Sequence, residues 1–80
     1  MYYCYILRCA DGTFYTGVTT DLARRVEEHN QGKGARYTAP RRPVELLWSD
    51  RFPNRSLAQR REAEIKRWRR DRKEALIEKG

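Results

Sequence analysis

At 80 residues the chain has room for one domain with a thin core, which excludes a second lobe built around a large cofactor. Eighteen Lys and Arg against 11 Asp and Glu leave a net charge of +7, a balance that favours a polyanionic partner such as nucleic acid. Most of these cations are Arg, whose planar fork suits phosphates and base edges, yet structural and ribosome-associated proteins share this composition, so charge alone does not mean enzyme. No run approaches the ~18 apolar residues of a membrane span, and no secretory leader precedes the first cysteine, Cys4. Cys4 and Cys9 have neither CxxC spacing nor nearby His, so they read as small hydrophobes of a reduced, cytoplasmic protein.

Tyr2–Arg8 is aromatic and β-branched and predicts a strand. Ala10-Asp11-Gly12 is a turn signal, and Thr13–Val18 is the returning strand. Thr20 or Asp21 can cap a helix that runs to about Asn30 and stops at Gln31-Gly32. Gly32–Pro43 is a polar, basic loop, and Val44–Ser49 is a third strand whose Leu46, Leu47 and Trp48 look buried. Ser56 followed by Gln59 fits a capping box at the head of a second helix, Leu57–Trp68. Asp71–Glu78 forms a third helix, with Ala75, Leu76 and Ile77 to bury, although Arg69 stands where a Ser or Thr cap would be natural. The order ββαβαα implies an α+β fold, a small three-stranded antiparallel sheet flanked by helices.

A three-residue hairpin loop pairs Cys9 with Thr13 and sets Leu7 opposite Tyr15. Tyr5 and Tyr15 are then diagonal neighbours about 7–8 Å apart, and Gly17 leaves space beside them for a backbone or a phosphate. A plain aromatic core cluster is the competing account. On the first helix, Leu22, Ala23 and Val26 make the inward stripe, with Arg25 and His29 stacked along its edge and Arg24 pointing away. A solvated basic helix is the alternative there. In the second helix the apolar stripe of Leu57, Ala58, Ile65 and Trp68 has Glu62 on one border and Glu64 on the other, so geometry does not choose between the two carboxylates. Lys33, Arg36, Arg41 and Arg42, interleaved with Tyr37, suit phosphate contacts and one stacking platform, or simply a solvated loop.

These residues together resemble the GIY-YIG nuclease family, in its small stand-alone bacterial branch. Tyr3-Cys4-Tyr5 stands at the first tripeptide and Tyr15-Thr16-Gly17 at the second, followed by Arg25 and His29 in the expected places. The segments from Gly32 to Thr38 and from Arg61 to Lys66 extend the likeness, which spans about Tyr2 to Ile77. Tyr3 and Cys4 replace the first Gly and Ile, and Thr16 replaces the second Ile.

The resemblance implies a divalent-metal-dependent endonuclease that hydrolyses phosphodiester bonds, DNA ahead of RNA, in repair or in processing of branched or damaged DNA. It implies Tyr5, Tyr15, Arg25, His29 and Glu62 as the catalytic set, and it selects Glu62 as the ligand of a single Mg²⁺ or Mn²⁺ ion. Tyr5 would take a proton from water, directly or with help from His29; Tyr15 would orient water or phosphate, and Arg25 would hold the scissile phosphate. Larger members carry a further binding domain, and none is read here, so target preference falls to the basic loop or to a protein partner. The alternative is a non-catalytic nucleic-acid-binding module on the same fold. If the catalytic set is real, its polar ends converge on one concave surface, with Arg24 and Glu64 pointing elsewhere.

Overall fold

The strand Tyr2–Arg8 (β1) alternates two apolar sets, and each set faces a different layer. The computed structural model describes residues 1–80. After β1 come Phe14–Thr19 (β2), Leu22–Asn30 (α1), a 3-10 turn at Ala39–Arg41, Glu45–Phe52 (β3), Arg55–Lys66 (α2) and Arg70–Lys79 (α3). The order is the expected ββαβαα, and the sheet is antiparallel in the order β2-β1-β3. Cys4 and Ile6 pack with Trp48 and with Ile65 of α2, joined by Leu76 and Ile77 of α3. Tyr5, Leu7 and Cys9 pack with Val44 on the other face, against Leu22 and Val26 of α1. Burial on both faces makes β1 the spine of the molecule.

The hairpin has the expected register, Leu7 opposite Tyr15 and Tyr5 opposite Gly17. Its loop closes with the Cys9 N–H on the Thr13 carbonyl at 2.8 Å, and Gly12 supplies the left-handed turn at φ 86°. β2 starts one residue later than expected because Asp11 engages Thr13, accepting from its amide at 3.1 Å and its hydroxyl at 2.6 Å.

β3 runs from Glu45 to Phe52 rather than from Val44 to Ser49. Val44 is taken out of the ladder by Asn30, whose amide accepts from its N–H at 2.7 Å and donates to its carbonyl at 3.2 Å. A register shift between Ile6 and Leu7 turns Leu46 out to solvent, so only Trp48 of the three expected core residues is buried.

Asp21 caps α1, accepting from the Arg24 N–H at 3.1 Å. Leu22 and Val26 pack inward as expected, but Ala23 is exposed and the fully buried member of the helix is His29. At the other end Gly32, at φ 82°, lets the Lys33 amide return to the Glu28 carbonyl at 2.9 Å.

The cap of α2 is Asn54, accepting from the Leu57 N–H at 2.9 Å, so the Ser56–Gln59 box is not used and the helix begins at Arg55. That earlier start brings Arg55, Gln59 and Glu62 onto one face, at spacings of four and three. Leu57, expected in the apolar stripe, is exposed. α3 starts after Arg69 with no side-chain cap, and Ala75 is exposed while Leu76 and Ile77 pack inward. Both cysteines are free and buried, and burial pushes the Cys4 thiol up to about 12.

Candidate active site

A cleft of about 550 Å³ opens where α1, the β1–β2 hairpin and α2 meet. Tyr5, Tyr15, Arg25 and Glu62 all line it, drawn from two strands and two helices. His29 does not line it: fully buried, it sits behind Tyr5, with the Tyr5 hydroxyl 3.0 Å from its Nε2.

Gly17 has a different part from the one its sequence position suggests. The space beside it is filled by Tyr5, and a Cβ built there would lie 2.4 Å from the phenol oxygen. The missing side chain admits the Tyr5 ring, and the glycine backbone itself lines the cleft. The Tyr15 ring meets His29 edge-on at 5.2 Å, closing the other side of the imidazole.

Arg25 is held at three points. Its Nε donates to the Tyr5 oxygen at 3.4 Å, Nη1 to Glu28 at 3.2 Å and Nη2 to the Gly34 carbonyl at 2.9 Å. A guanidinium has five N–H protons, so two remain for a phosphate. The bond to Tyr5 holds the guanidinium all the more firmly protonated, with Glu28 adding to the effect.

Burial raises the Tyr5 phenol above its ordinary value, against the hydrogen bond and charge of Arg25, which pull it down. Burial also lowers His29, and the nearby Arg25 charge adds to the shift. In the free protein both groups are therefore neutral at pH 7.

Glu62 is half-buried on the cleft wall, with the Lys66 ammonium 3.4 Å from its Oε2. Glu64 faces another surface and pairs with Arg61. Arg24 does not point away as expected. It stands on the lip of the cleft and reaches Glu28 at 3.4 Å, because α1 lies along the mouth and exposes both neighbours there. Arg55 and Gln59 complete the opposite lip; Arg55 lies outside the expected helix, and Gln59 figures there only as part of its cap.

No cluster of three His, Cys, Asp or Glu could cage a metal ion. The donor set instead fits a small divalent ion that takes one carboxylate, Glu62, and completes its shell with water and substrate oxygens.

None of the five residues expected to bind the nucleic-acid strand lines the cleft. Arg41 is tied to Asp11 at 3.0 Å and to the Tyr37 carbonyl at 2.7 Å, and lies 4.0 Å over the Tyr37 ring. Tyr37 also runs nearly parallel to Tyr15 at 6.1 Å, so its ring is engaged within the protein. Arg42 donates to the Ala39 carbonyl at 2.7 Å, whereas Lys33 and Arg36 are exposed. Most of this loop braces the site. Thr38, unremarked in the sequence, is fully buried against His29 Nδ1 at 2.7 Å. No helix is long and apolar enough to cross a membrane.

The chain is 53% identical over 77 residues to a UPF0213 protein of Halobacterium salinarum, covering 96% of this chain and 100% of the relative. The solution structure of a UPF0213 protein from Bacillus halodurans is similar at a TM-score of 0.62 and 47% identity, covering 98% of this chain and 84% of that one. A protein from E. faecalis is similar at a TM-score of 0.65 and 45% identity, covering 98% and 83%. These relatives come from both archaea and bacteria. The GIY-YIG catalytic domain profile matches residues 1–75, and with the two tripeptides paired across one hairpin the chain belongs to the GIY-YIG family.

Proposed function

We propose that the cleft is the active site of a divalent-metal-dependent endonuclease acting on DNA, including branched or damaged forms. GIY-YIG is a nuclease family, and nucleic acid is the substrate its chemistry implies. The observation that carries the reading is the phenol of Tyr5, flanked by Arg25 and by neutral His29 in a cleft that Glu62 also lines.

Arg25 uses its two free N–H protons to hold the scissile phosphate and offset charge on the non-bridging oxygens. Tyr15 donates a hydrogen bond that orients the attacking water or the phosphate. The water oxygen forms the new bond to phosphorus as its proton passes to the Tyr5 oxygen, and the Tyr5 proton passes to His29 Nε2. Burial moves the Tyr5 phenol up and the His29 imidazole down, so both are neutral at rest and no phenolate stands ready. The transfers are therefore concerted with attack. A divalent ion held by Glu62 would stabilise charge on the leaving oxygen. Arg24, Arg55 and Gln59 on the lips, with exposed Lys33 and Arg36 beyond, supply contacts to the flanking backbone.

The test is a cleavage panel of single-stranded, duplex, flap and four-way DNA with matched RNA, in Mg²⁺ and in Mn²⁺. At least one DNA is cut, and Glu62→Gln abolishes cutting while the fold persists. Binding without cleavage across the panel would instead favour the non-catalytic module, and undiminished cutting in excess EDTA would refute the metal assignment.

A further inference from the structure

The loop after α1 touches the catalytic pair at three points. The Gly34 carbonyl accepts from Arg25 at 2.9 Å. A Cβ on Gly34 would fall 2.4 Å from His29 Nδ1, so the loop lies flat against the imidazole. Thr38, fully buried, places its hydroxyl oxygen 2.7 Å from the same nitrogen.

The direction of these bonds can be worked out from what each group is able to give. The Thr38 hydroxyl has one proton, and it lies 3.2 Å from the Ala35 carbonyl, which can only accept. Given to Ala35, which also accepts from the Ala39 N–H at 3.1 Å, that proton leaves the oxygen only lone pairs for His29, and Nδ1 then carries the N–H. A neutral imidazole has a single N–H, so Nε2 is bare and accepts from the Tyr5 hydroxyl at 3.0 Å. The phenol oxygen in turn accepts from Arg25 Nε at 3.4 Å. Every donor from Arg25 to Thr38 then has an acceptor. In the opposite tautomer Nε2–H and Arg25 both aim protons at the phenol oxygen, and the phenol's own proton can turn only to the cleft.

The geometry points to Thr38 as a positioning residue: its hydroxyl holds His29 in the Nδ1-protonated tautomer and so keeps Nε2 open to the Tyr5 proton. This rests on the nuclease reading for its consequence, though not for its geometry. In the reaction the Tyr5 O–H bond breaks and an Nε2–H bond forms. The Tyr5 oxygen takes the proton of the attacking water, whose oxygen bonds to phosphorus as the ester bond to the leaving oxygen breaks. The leaving oxygen gains a proton from solvent, and before the next turnover the cationic imidazole returns its Nε2 proton to the Tyr5 oxygen as the phenol releases its own to water in the cleft. A tautomer with the proton already on Nε2 has no lone pair there and blocks the transfer.

His29 is the only histidine in the chain, so its ring nitrogens can be read without ambiguity. The experiment is a two-bond ¹H–¹⁵N spectrum of uniformly labelled protein at pH 7.5, on the wild type, Thr38→Val and Thr38→Ser, with single-turnover cleavage of the best DNA from the panel. The wild type and Thr38→Ser show Nδ1 protonated and Nε2 bare. Thr38→Val, which keeps the shape and loses the hydroxyl, moves the proton toward Nε2 and slows cleavage by roughly 10–100-fold, as loss of a group that orients another does, and Thr38→Ser restores the rate. A wild type already protonated at Nε2 overturns the proposal without any variant, so a failure of Thr38→Val to fold does not protect it. A switched tautomer with an undiminished rate also overturns it. If the wild type cuts nothing in the panel, the nuclease reading falls, while the spectra still decide what Thr38 does to His29.

Discussion

Gly17→Ala adds one methyl group at the place where two strands hold the phenol of Tyr5. Gly17 does not have a positive φ, so alanine meets no backbone strain there. The added carbon would lie 2.4 Å from the phenol oxygen and 2.6 Å from the ring carbon that carries it, where ordinary contact begins near 3.4 Å. The ring must move by about 1 Å, yet Tyr5 is 1% exposed and its oxygen is bonded to His29 and Arg25. Overpacking of this kind costs about 1–3 kcal/mol, and each kcal/mol lowers Tm by about 4–8 °C in a chain this small. Displacing a reacting oxygen by that distance slows chemistry on the order of 10²-fold. Gly12→Ala is the control: its Cβ meets nothing within 4 Å, but a φ of 86° makes it destabilising far from Tyr5. Thermal unfolding and single-turnover cleavage should therefore separate the two, with both variants less stable and only Gly17→Ala slow. Cleavage by Gly17→Ala at the wild-type rate would show that the position of the phenol oxygen does not matter, and the assignment of Tyr5 would go with it.

Because burial lowers the His29 pKa, the unfolded chain binds a proton below about pH 6.5 that the native state refuses, so stability falls as pH drops through that value and levels off below the native pKa. Denaturant unfolding at pH 7.5 and 5.5 should show this loss in the wild type and a smaller one in His29→Gln; equal losses would mean the imidazole is not buried neutral. Neutralising Lys33 and Arg36 together should flatten the dependence of DNA affinity on salt by about 2 in the logarithmic slope, whereas Arg41→Gln with Arg42→Gln should chiefly lower stability, since both guanidiniums are tied into the loop. An unchanged slope in the first pair would leave those two residues as ordinary surface.

The hairpin was legible from sequence because its register follows from the loop length alone, and it carries Tyr5 and Tyr15. Element order and the spacing of Arg25 and His29 were legible for the same local reason. The errors came where a distant side chain decided the outcome. Asn30 captures Val44, fourteen residues away, and moves the start of β3. Asn54 caps α2 before Ser56 can, and so brings Arg55 into the helix and onto the cleft. The loop from Gly32 to Pro43 drew attention for its charges, and a second contact, a glycine carbonyl on Arg25 and a threonine hydroxyl on His29, was not legible there. Neither group stands out in composition, and only the approach of the loop to α1 gives them meaning.

Placing the Tyr5 phenol on the central strand has a consequence for how such a protein can diversify. Only 13 of its 80 residues are buried, and Tyr5 is among them together with His29 and Thr38 behind it, so the phenol and its supports belong to the core. A substitution that retunes the chemistry there also removes packing that a chain this small can hardly spare. Inherited variation is therefore channelled outward. The lips, with Arg24, Arg55 and Gln59 exposed, accept new side chains at little structural cost, and they are where new substrate preferences can accumulate while the reaction itself stays fixed.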